Sequence, residues 1–120
     1  MLMYVPVSPG EALDRLSILE IKSEHTEDAF VASQLKHYRA IVCSCIHQPV
    51  SGIPDYSELH EVNSILWDLE NSNRACPDQD IFMKRKLAKD IFEYNIRRAE
   101  LKKQIDLHFD SQTDEKVYSA

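Results

Sequence analysis

Apolar positions along this chain recur at helical spacing in four stretches, with clear breaks between them. At the head of the first, Ser8 and Glu11 make a capping-box pattern, and Pro9 stands where a missing N–H does no harm. A helix is predicted over residues 8–25. At about 100° per residue, Ala12, Leu13, Leu16 and Leu19 share one face while Ile18 and Ile21 open a second. A helix apolar on two faces is normally covered on both, which makes this one central. Glu20 projects from the sector of Leu13 and Leu16, a carboxylate on a face that should be buried.

The second helix is predicted over 27–47, where Val31, Leu35, Tyr38, Val42 and Cys45 form a heptad-like seam. Gln48 to Pro54, with two prolines, a serine and a glycine, is a loop. Asp55 and Glu58 open a third helix over 55–75 with another capping-box pattern, and Leu59, Val62, Ile65, Leu66 and Leu69 make its apolar face. Cys76-Pro77 stops it, because the residue before proline leaves the α region. A long fourth helix is predicted over 78–109, its buried sector taking in Leu87, Ala88, Ile91, Phe92, Ala99 and Ile105. Residues 1–7, which include Pro6, make an extended arm. Residues 110–120 make a polar tail in which Val117 and Tyr118 could dock.

The pattern predicts an all-α protein, an antiparallel bundle of four helices in a single domain over 1–120. The last helix outruns the first, so its surplus turns and the seam of the second helix predict a homodimer that covers them.

Composition narrows the classes. Two glycines argue against a turn-rich β fold, and no apolar run approaches the ~18 residues of a membrane span. Three cysteines, an odd number, and no signal-peptide pattern predict a reducing, cytoplasmic setting. The net charge of −6 is segregated: residues 84–103 hold eight basic side chains against three acidic ones. Acids interspersed among those bases, without basic-aromatic interleaving, favour internal pairing over nucleic-acid binding.

Polar residues on apolar faces are the candidate chemistry. Asn95, Arg98 and Lys102 fall among Leu87, Ile91 and Ile105, and Asn63, Trp67, Glu70 and Arg74 make one stripe along the third helix. Glu20 adds a carboxylate from the first. Buried charges must be paired or must bind something. One reading is a salt-bridge network of Glu20 and Glu70 with Arg74, Arg98 and Lys102. The other is a polar pocket in which Arg74, Arg98 and Lys102 meet an anionic ligand, with Asn63, Asn95 and Trp67 as its wall. Spacing alone does not separate them, and the network is the commoner outcome.

No metal or cofactor is expected. Cys43 and Cys45 point about 200° apart on a helix, so Cys43 with His47 would supply only two ligands and Cys76 would have to arrive from elsewhere. There is no Gly-x-Ser-x-Gly turn and no phosphate-binding glycine loop. His25, His37, His47, His60 and His108 are scattered, and Trp67 reads as a bundle-edge packing residue.

Residues 5–22, from Val5 through Ser8-Pro9-Gly10-Glu11 to Leu19-Glu20-Ile21-Lys22, resemble the N-terminal signature of an uncharacterised, mainly bacterial family of small domains of unknown function. Asn63 with Leu66-Trp67, Glu70 and Arg74 is similar to its middle motif, and Tyr94-Asn95, Arg98, Lys102 and Ile105-Asp106 to its C-terminal one. Tyr94 and Cys76-Pro77 depart from that pattern. The resemblance implies emphasis on Glu11, Asp14 and Lys22 beside the polar set already marked. Such domains are sometimes fused to or encoded beside glycosyltransferases, which implies a link to glycan assembly. The expected function is therefore a non-enzymatic helical interaction or accessory module. The alternative is a small helical enzyme or sensor holding an anionic small molecule between helices, where cations and carboxylates alone can stabilise a dianion.

Overall fold

A computed structural model describes the backbone of residues 1–118 and the side chains of residues 1–110. Four helices follow an extended arm: α1 (Pro9–Glu24), α2 (Ala29–Ile46), α3 (Tyr56–Ala75) and α4 (Ile81–Tyr118). A single 3-10 turn, Val50–Gly52, lies between α2 and α3. The architecture is the all-α four-helix bundle with a long last helix that the periodicity predicts.

α1 is central, packing on each of the other three helices, while α2 rests mainly on α1 and α3 pairs most extensively with α4. Gly10 lies beside Asp106 and Asp14 beside Arg98, so α1 and α4 run in opposite directions. Glu58 beside Arg97 and Asn73 beside Lys84 set α3 against α4 the same way. The core is filled by Leu13, Leu16, Leu59, Leu101 and Ile105, all fully buried. Val42, Ile53, Tyr56, Val62 and Leu66 extend it.

Caps decide the helix starts, and only some follow the sequence pattern. Ser8 Oγ accepts from the Glu11 N–H at 3.2 Å, but the Glu11 side chain turns to Arg15 and Lys102 instead of closing the capping box. Asp28 caps α2, its Oδ1 accepting from the Phe30 N–H at 2.9 Å. Asp55 takes the left-handed conformation (φ 71°) and caps nothing with its side chain, while Glu58 pairs with Arg97.

Two expectations for α4 are corrected. Its helix does not stop near residue 109 but continues to Tyr118, since no glycine or proline follows Pro77 to break it. The docking expected of Val117 and Tyr118 lies outside the described side chains. Phe92, Ala88 and Ala99 are exposed, not buried. α4 meets α1 and α3 on one side only, so its buried arc is narrower, running through Leu87, Leu101 and Ile105. Cys45, at the end of the α2 seam, is likewise exposed.

Candidate functional site

Where α1, α3 and α4 meet, the core contains a charge. Asp14 is 1 % exposed, on the side of α1 that meets Asn63 of α3 and Arg98 of α4. Arg98 holds it bidentately, Nε on Oδ1 at 2.9 Å and Nη2 on Oδ2 at 2.6 Å. Asn63 Nδ2 donates to Asp14 Oδ1 at 2.9 Å and to Ser17 Oγ at 2.6 Å. The Ser17 hydroxyl closes the ring on the Asp14 carbonyl at 2.8 Å. Lys102 Nζ lies 2.6 Å from Glu11 Oε2 and 3.7 Å from Asp14 Oδ2.

Electrostatics follow from this geometry. Burial pushes the Asp14 carboxyl up, but the hydrogen bonds from Arg98 and Asn63 with the charges of Arg98 and Lys102 outweigh it and hold the group below its ordinary value. The Lys102 ammonium does the same for Glu11. Arg98 is raised by its bond to Asp14. Among the described side chains no buried polar atom lacks a partner. The cluster is a closed set of donors and acceptors bridging three helices.

Of the predicted site residues, Asn63, Arg98 and Lys102 come together here, but on Asp14 and Glu11, not on Glu20 and Glu70. Glu20 is six residues, about 120° of turn, away from Asp14 and faces the other side of α1. There it accepts from the Tyr56 hydroxyl and stands 3.8 Å from Arg39. Glu70 is half-buried, and the α3–α4 register places it level with the Lys84 end of α4, out of reach of Arg98. Arg74 is exposed in the last turn of α3, its guanidinium on Asn71. Asn95 is exposed. Trp67 is half-buried and stacks on His25, ring centroids 5.1 Å apart and planes 15° from parallel. The pocket of all eight residues does not exist as one site.

Glu20 belongs instead to an open cleft of about 580 Å³ between α1, α2 and α3. Leu16, Arg39, Cys43, Tyr56 and His60 line it together with Glu20. Burial and the Glu20 carboxylate raise the Tyr56 hydroxyl, which stays protonated and donating. Helical phase alone flags Glu20 but says nothing of Arg39 or Tyr56, because their approach depends on how α2 and α3 cross α1.

The residues missed by spacing are Asp14, Ser17, Gly10 and Asp106. A signal existed for the first: Asp14 and Ile21 are seven apart and share a sector of α1. Gly10 lies where α1 touches α4: a Cβ there would sit 2.2 Å from the Lys102 carbonyl oxygen, and the Gly10 N–H donates to Asp106 Oδ1 at 2.7 Å.

Among the described residues no helix is long and apolar enough to cross a membrane, and no three His, Cys, Asp or Glu side chains converge as metal ligands. No family model, curated protein or solved structure matches the chain.

Proposed function

We propose that this protein is a non-enzymatic helical interaction module, a homodimer that serves as an accessory to a larger assembly. Glycan assembly is the setting the motif resemblance implies. One observation carries the reading: α4 leaves an apolar face in water, directly opposite its buried one. Phe92 and Ile96 lie on it one turn apart, 67 % and 46 % exposed, flanked by Ala88 and Ala99, and Leu107 follows beyond Lys103. Exposed apolar side chains clustered on one side of a helix mark an interaction site. The inward cations Arg98 and Lys102, by contrast, are engaged with the chain's own carboxylates, which supports a structural role for them.

The test is affinity capture from the native host with wild type and with Phe92→Glu/Ile96→Glu. Both substitutions sit in water, so folding stability should change by no more than about 0.5 kcal/mol each. A discrete partner recovered by wild type and lost with the variant supports the reading. Identical recoveries overturn it.

The Glu20 cleft favours a second reading, an anionic small molecule between helices. Arg39 lines it, half-exposed, with its carboxylate partner at 3.8 Å, beyond hydrogen-bond reach. Titration with inorganic phosphate and small carboxylates should then give binding heat that Arg39→Ala removes. No heat with wild type excludes it.

A further inference from the structure

The outer face of α4 carries a pattern of charge as well as of apolar side chains. At about 100° per residue, Arg85, Lys89, Phe92, Ile96 and Lys103 fall within a sector about 60° wide, and all five are exposed. Along the helix the order is basic, apolar, basic, over a rise of about 27 Å from Arg85 to Lys103. No acidic side chain between those two residues shares the sector. The acids that border it are engaged: Glu100 accepts from Arg97 at 3.1 Å, and Glu93 stands 4.0 Å from Lys89. Among the described residues Arg85 and Lys103 make no ion pair.

We propose that this face receives an acidic amphipathic helix of a different protein, with apolar side chains at its middle and carboxylates toward both ends. It rests on the reading of the face as an interaction surface and names what that surface takes. The first argument is charge complementarity. Unpaired cations on either side of an apolar centre steer an oppositely charged segment and fix its register. The second is shape. A narrow, straight stripe with the small residues Ala88 and Ala99 beside it lets a second helix approach to packing distance. A second copy's α4 does not match the pattern. An antiparallel two-fold pair that sets Phe92 on Ile96 also sets Arg85 on Lys103, and a parallel pair sets each cation on itself. An anionic membrane matches poorly too, because the chain has a net charge of −6 and the centre of the stripe holds only two large apolar side chains.

The test is photocross-linking in the native host, with benzoylphenylalanine in place of Phe92 in the full chain, followed by peptide mapping of the adduct. The proposal predicts an adduct to another protein, on a segment with apolar residues at helical spacing and more Asp and Glu than Lys and Arg. Arg85→Glu/Lys103→Glu should abolish the adduct, and Arg85→Lys/Lys103→Arg should keep it. Both variants should retain wild-type circular dichroism, since the two side chains stand in water. An adduct to a neutral or basic segment, to a second copy of this chain or to lipid overturns the proposal and leaves the face an interaction surface. An adduct that survives the charge reversal overturns it as well. No adduct also overturns it, and joined to identical captures by wild type and Phe92→Glu/Ile96→Glu it refutes the broader reading too.

Discussion

Asp14 is the only charged side chain buried in the interior among the described residues, and its neighbours supply what water would have supplied. An uncompensated charge there would cost several kcal/mol, so each partner matters through what its loss leaves behind. Arg98→Ala strips Asp14 of its bidentate donor, and we expect a loss of about 3–5 kcal/mol in urea unfolding. The pH dependence has a definite sign. Because the folded state holds Asp14 and Glu11 below their ordinary values, their contribution is complete above the carboxylate range. It is lost as pH falls through the depressed folded values. Stability should be level above about pH 5 and fall below about pH 4. Asp14→Asn should be less stable than wild type at neutral pH, with the gap narrowing in acid. A gap that stays constant from pH 7 to pH 3, roughly, would contradict the assignment.

At the level of helices, contact between α1 and α4 depends on the absence of a side chain. Gly10 lets the first turn of α1 approach the α4 backbone so closely that a methyl group would collide with the Lys102 carbonyl. Gly10→Ala would gain helix propensity yet should destabilise by about 1–3 kcal/mol or more through overpacking. An alanine chain as stable as wild type in thermal melts would show that α1 sits farther from α4. The helices themselves were legible because helical periodicity, Pro9 and Cys76-Pro77 are local signals, as is the centrality of α1 from its two apolar faces. The inward turn of Arg98, Lys102 and Asn63 was legible for the same reason. Their partners were not: Glu11, Asp14 and Glu20 all sit on one helix within three turns, and choosing among them depends on the depth and register of crossing. The same limit misassigned Phe92: it lies about 140° round α4 from Leu87, and only a further element on that side would bury it.

For the molecule as a whole, a three-helix junction of α1, α3 and α4 is pinned by Asp14, and α2 is laid on the outer side of α1. That division leaves exposed apolar side chains at the periphery, on α4 and along the arm, while the inward charges of Arg98 and Lys102 pair with the carboxylates of α1. The central claim is that these inward charges hold the bundle together. A double-mutant cycle on global unfolding of wild type, Asp14→Ala, Arg98→Ala and the double variant tests it most directly. The account predicts a coupling of about 2–3 kcal/mol between the two sites. Strictly additive losses, with the double variant as destabilised as the two singles combined, would contradict it.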